Sequence, residues 1–203
     1  MNSYDLNERL VKEVVDLLAV EEDKRLLAVL RKLKETLPLD QEWPRVVYQV
    51  DLRSEDGSEL YIHLDRYARS LQYSTDLDVA RFHTHLPGRG YTLWLATGER
   101  SFADLAAERP LLKVWVQLLD WAPVPWSVLL RAMGLTGRER EAFLLIHRDG
   151  MTHQKAARLL GVAPSTVSTH VRNIRKKVAA SPYQPLMGRM RHLIGVKVVN
   201  DSY

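Results

Sequence analysis

Two clusters of side chains in this 203-residue chain have the types and spacing to do chemistry. The first lies between Pro164 and Val178. At helical spacing Val167, Val171, Ile174 and Val178 share one face, and Ser165, Ser168, Thr169, Arg172 and Lys176 take the opposite one. Small hydroxyl side chains at the front of such a helix can reach base edges, while Arg172, Arg175, Lys176 and Lys177 further on can meet phosphates. Thr152, His153 and Thr166 complete this candidate set, whose natural partner is double-stranded DNA. The second cluster is Arg81-Phe-His-Thr-His-Leu-Pro. On a strand, His83 and His85 point to one face, a workable bidentate pair for a divalent metal.

The first cluster needs a scaffold, and the flanking sequence supplies one. Thr136 and Glu139 have capping-box spacing ahead of Ala142, Leu145 and Ile146, the buried stripe of a first helix. Asp149–Gly150 stops that helix. Thr152 caps a second, short helix that buries Ala156, Ala157 and Leu160, and Gly161 makes the tight turn after it. Pro164 fixes φ at the first position of the third helix, whose cap position holds Ala163 and therefore no side-chain oxygen. Helix, short helix, glycine turn and a third helix with a polar-to-basic outer face make a helix-turn-helix.

This segment resembles the LuxR/GerE (NarL/FixJ-like) helix-turn-helix family. The resemblance rests on LTxREREx at Leu135–Ala142, on Leu-Gly-Val at Leu160–Val162, and on TVxxHxxNIxxK at Thr166, Val167, His170, Asn173, Ile174 and Lys177. Lys155, Ala156 and Ala163 depart from the family's usual acid, larger aliphatic and capping hydroxyl. The resemblance implies a sequence-specific transcriptional regulator working as a homodimer. It also implies a fourth helix, with Pro185–Ile194 as its counterpart. Sigma-factor promoter-recognition regions share the architecture and are the alternative; His170 and Asn173 favour the LuxR type.

Ahead of this module the pattern is mixed. Residues 3–36 repeat leucine and valine at three- and four-residue steps, with Glu21–Glu22–Asp23 either joining two helices or lying within one. From Arg45 the period becomes two: Val46–Leu52 and Leu60–Leu64 read as half-buried strands of a hairpin, and Leu77–His85 and Tyr91–Thr97 as a second pair. Ser101 and Asp104 cap a helix, and Leu111–Trp121 reads as helix or strand. The expected class is α+β: a helical segment (1–37), a small antiparallel-sheet domain for sensing or dimerisation (38–122), a linker or short helix (123–133), the helix-turn-helix (134–195) and a tail (196–203).

The sheet domain also admits a rival chemistry. His83, His85, Ser101 and Asp104 resemble the His-x-His…Ser-x-x-Asp pattern of JAMM-type zinc hydrolases, which implies His83, His85 and Asp104 as candidate zinc ligands and Glu42 or Glu59 as general base. Fifteen residues separate His85 from Ser101, about twice that family's gap, and Ser101 and Asp104 already serve as a cap. No enzymatic activity and no cofactor are therefore expected. The five tryptophans, at 43, 94, 115, 121 and 126, are core residues or the lining of a pocket for a small-molecule effector.

Charge and composition agree with a DNA partner. From Gly134 onwards twelve Lys and Arg stand against four Asp and Glu, while the preceding residues are net acidic. A basic end on an acidic body marks a polyanion-binding module. The absence of cysteine excludes thiol catalysis and thiolate zinc sites. No apolar run reaches membrane-spanning length and the N-terminus lacks a signal-peptide core, so a soluble cytoplasmic protein without a membrane partner is expected.

Overall fold

The computed structural model describes residues 3–38, 43–51, 59–122 and 124–184, with backbone alone for 3–7. Contacts divide them into two compact units that meet in sequence between Pro125 and Trp126. The class is mixed, with N-terminal helices, a five-stranded antiparallel sheet and a C-terminal helical unit. No helix among the described residues is long and apolar enough to cross a membrane.

In the first unit the acidic run opens a second helix. Helix α1 spans Ser3–Leu18 and α2 spans Glu22–Thr36, with Glu22 and Asp23 in the first turn of α2, where the helix dipole favours negative charge. Arg25 closes the corner by donating from Nε to the Val20 carbonyl at 3.0 Å and from Nη2 to that of Leu18 at 3.3 Å. Leu26, Val29, Leu30 and Leu33 give α2 one buried stripe. On α1, Leu17 is buried, but Val11, Val15 and Leu18 stay exposed along an adjacent stripe.

Strands β1 (Val46–Val50), β2 (Leu60–Leu64), β3 (Leu71–Ser74), β4 (Thr84–Pro87) and β5 (Tyr91–Leu95) pair in the order β3-β2-β1-β5-β4. Tyr48 is level with Ile62 and Leu93 on one face, and Val47 with His63 and Trp94 on the other. Helix α2 packs on β1 and β2 and also on α4 (Leu111–Leu118), which buries Leu112 and Trp115. Helix α3 (Phe102–Glu108) carries the expected Ser101–Asp104 capping box.

The structure corrects three strand expectations. All five residues of β1 are buried, so this central strand is covered on both faces, not half-buried. Strand β3 has a polar, partly exposed sequence and goes unread by hydrophobic alternation. Leu77–His85 is not one strand: Val79–Arg81 form a 3-10 turn capped by Asp78, and only Thr84–Pro87 pairs with β5. His83 precedes that strand, so the two histidines do not share a strand face.

The second unit is helical, with α5 (Trp126–Ala132), α6 (Gly137–Phe143), α7 (His153–Leu160) and α8 (Pro164–Ala179). Helix α5 falls in the stretch read from the sequence as linker or short helix, yet it shares the core. Trp126 lies against Phe143 with ring centroids 5.4 Å apart. Deeper in, Ala156 and Ala157 are almost fully buried beneath Val167 and Val171, where a larger side chain would push the helices apart. The fourth-helix segment Pro185–Ile194, the tail, the Ser54–Ser58 turn and Glu42 lie outside the described residues.

Candidate nucleic-acid interface

The front of α6 is built as its spacing predicts. The Thr136 hydroxyl accepts from the Glu139 N–H at 3.4 Å, and the Thr136 N–H donates back to Glu139 Oε2 at 2.8 Å. Helix α6 then continues into a π-helical turn, Leu144–Arg148, and ends at Gly150 with φ +65°. Such a turn passes on the wider backbone loop while keeping Leu145 and Ile146 against the α7–α8 core.

Lys177 has a different job from the one its charge suggested. Its Nζ donates to Glu139 Oε2 at 2.7 Å and to the Gly134 carbonyl at 3.1 Å, tying α8 back to the start of α6. The sequence reading placed Lys177 among the phosphate contacts; here it is a structural tie. Glu139 is 4% exposed. Burial pushes its carboxyl up, but hydrogen bonding to Lys177 and to Thr136 outweighs burial and holds it below the usual carboxylate range.

The turn between α7 and α8 sets the outer face. Thr152 accepts from the Lys155 N–H at 3.4 Å, and Gly161 closes α7 in the left-handed region at φ +66°. The Val162 N–H reaches the Ala157 carbonyl at 3.0 Å, the outer bond of a Schellman closure. Helix α8 opens at Pro164 with Ala163 as an N-cap that makes no side-chain bond. Val167, Val171 and Ile174 are buried. Thr152, His153, Ser165, Thr166, Ser168, Thr169, Arg172, Arg175 and Lys176 are all exposed, running from hydroxyls at the front of α8 to cations at its back.

Hydrogen bonding decides what the hydroxyls can offer a ligand, and the sequence reading missed this. Ser168 Oγ donates to the Pro164 carbonyl and Thr169 Oγ1 to that of Ser165, each at 3.1 Å. With their protons spent on the preceding turn, both oxygens are left as acceptors on exposed residues. His153 Nδ1 lies 3.2 Å from Ser168 Oγ, linking the front of α7 to the outer face of α8. At Ser168 and Thr169 the outer face of α8 therefore offers acceptors. They complement the exocyclic amino groups of cytosine and adenine in the major groove.

The metal candidates do not assemble. His83 lies in the bend before β4, and His85 lies tilted against Trp94 with centroids 5.1 Å apart. The Asp104 carboxylate takes the Ser101 hydroxyl at 2.6 Å inside the capping box. Among the described residues no three His, Asp or Glu side chains are grouped to hold a metal ion. Trp115 and Trp126 are buried, whereas Trp43 and Trp121 are exposed.

A tight alanine-lined helix pair, a left-handed glycine turn and a third helix with an exposed hydroxyl-to-cation face define a helix-turn-helix DNA-binding domain. Residues 128–178, roughly a quarter of the chain, match the family model described as sigma-70, region 4. That match begins in α5, before the start at 134 read from the sequence. Neither the curated proteins nor the solved structures compared contain a match to this chain.

Proposed function

We propose that this chain is a LuxR-type transcriptional regulator, reading double-stranded DNA with α8 as a cytoplasmic homodimer and catalysing no reaction. The observation that carries this reading is the division of α8. Its inner face is locked by Val167, Val171 and Ile174, and its outer face leads from acceptor oxygens to Arg172, Arg175 and Lys176. His170 and Asn173, with the Lys177–Glu139 tie joining the two ends of the LuxR-like motif, support the finer assignment. The region 4 match favours a second reading, sigma-factor-like promoter recognition. Stable association with core RNA polymerase, and transcription started by that pair alone, would select it.

Base reading is tested by selecting sites from a randomised DNA library. Thr169 presents one acceptor oxygen and one methyl, the latter suited to the thymine methyl. Thr169→Ala should change preference at one or two base pairs and leave non-specific affinity within about twofold, since no phosphate contact is removed. If Thr169→Ala and Ser168→Ala both retain the wild-type motif, this face does not read bases.

A single module of this size covers one half-site, so a dimer multiplies affinity. The Val11–Val15–Leu18 stripe of α1 supports a second copy as the occupant of that face. Glu8 and Lys12 flank it with opposite charges that a two-fold axis would bring into register. The full chain should sediment as a dimer at tens of micromolar and Val15→Asp as a monomer. A wild-type monomer at that concentration would remove the dimer. The first unit is proposed to receive a small-molecule input.

A further inference from the structure

The chain between the edge strands β3 and β4 crosses the sheet diagonally. Ser74, at the end of β3, pairs with Tyr61, which is level with Gln49 and Thr92; Thr84, at the start of β4, is level with Leu95 and Val46. The nine residues 75–83 must therefore span four strand spacings, about 19 Å, and can reach about 30 Å when extended. Their slack is spent on the 3-10 turn Val79–Arg81. Under this strap, against Val47 on the sheet face away from Tyr48, lies a cavity of about 600 Å³. That volume sits in the range of small-molecule sites.

The wall is mostly apolar, with Trp43, Val47, Leu77 and Phe82 as its larger members. Its charged and polar side chains are Asp78, Arg81 and His83. The Arg81 guanidinium lies over the exposed Trp43 ring, 4.5 Å from its centroid. Its ionic partner among the described residues is Asp78, with Nε to Oδ2 at 3.6 Å, beyond good hydrogen-bond length. Asp78 spends its other oxygen, Oδ1, on the Ala80 N–H at 3.1 Å, capping the turn. The planar fork of Arg81 thus keeps N–H donors at an apolar, indole-walled cavity, the arrangement that takes a carboxylate in two parallel bonds.

We propose that this cavity binds a small aromatic carboxylate, its ring among Trp43, Val47 and Phe82 and its carboxylate on Arg81. The regulatory meaning of such a site rests on the first unit acting as the input domain; binding itself does not. Calorimetry on the full chain without DNA tests it, with 1-naphthoate and 1-naphthylmethylamine as probes. The carboxylate should bind with one-to-one stoichiometry and at least tenfold more tightly than the amine. Arg81→Gln should weaken it at least tenfold. Ala80→Trp, placed at an exposed strap position so that the indole fills the cavity, should remove binding while the melting temperature and DNA affinity stay unchanged. No saturable binding by the wild type, equal binding of the amine, or indifference to both substitutions would overturn the site. None of those results touches α8, whereas failure of the wild type to bind DNA would strike the regulator reading and leave the cavity standing.

Discussion

Alanine at Arg172, Arg175 and Lys176 together should cost on the order of several hundredfold in DNA affinity in 0.1 M salt. Each phosphate neutralised by a cation releases condensed counterions, and the log–log salt slope changes by about 0.9 for each. Three lost contacts flatten the slope by nearly three units, which at 0.1 M is a loss of that order. All three side chains are exposed, so the fold should hold to within about 0.5 kcal/mol per site. Fluorescence anisotropy across a salt series checks it. Weaker binding with an unchanged slope would mean that these cations act on something other than phosphate.

Glu139→Gln should destabilise the second unit by about 1–3 kcal/mol near neutral pH, by stripping the charge from a buried acceptor that serves Lys177 and the Thr136 N–H. Lys177 is partly exposed, which keeps the figure below that of a fully buried pair. The sign of the pH effect follows from the lowered carboxyl of Glu139. Its stabilisation is present above the ordinary carboxylate value near 4.5 and is lost as pH falls through the lower, folded value. Hydrogen-exchange protection of α8 amides should therefore differ most between wild type and variant near pH 6–7, and converge on acidification. A gap that stays constant down to strongly acid pH would show that Glu139 contributes shape and not charge.

The helix-turn-helix was legible because its signals are local. Thr136 with Glu139, Gly150, Thr152, Gly161 and Pro164 each act within a few residues, and all five do in the fold what their types require. What escaped depends on distant partners. Nothing near Lys177 in sequence reveals Glu139 thirty-eight positions away, so a lysine in a basic run reads as a phosphate ligand. The stretch 123–133 reads as linker or short helix, and the packing of Trp126 on Phe143, seventeen positions on, is what makes it a helix of the core. Ser168 and Thr169 were correctly placed on the outer face, but donation to carbonyls four residues back is settled by rotamers, and it changes their role from donor or acceptor to acceptor alone. In the sheet domain, Leu77–His85 has strand-like composition and β3 does not. Which one pairs is fixed by the need to carry the chain from one edge of the sheet to the other.

The outer face of α8 as the DNA-contacting surface is tested most directly by an amide NMR titration of the full chain with duplex DNA at low salt, for which the operator need not be known. The largest shift changes should fall on Thr152, His153 and the residues from Ser165 to Lys176, and should fade together as salt is raised. Largest changes on the sheet of the first unit, with Ser165–Lys176 unmoved, would contradict the account.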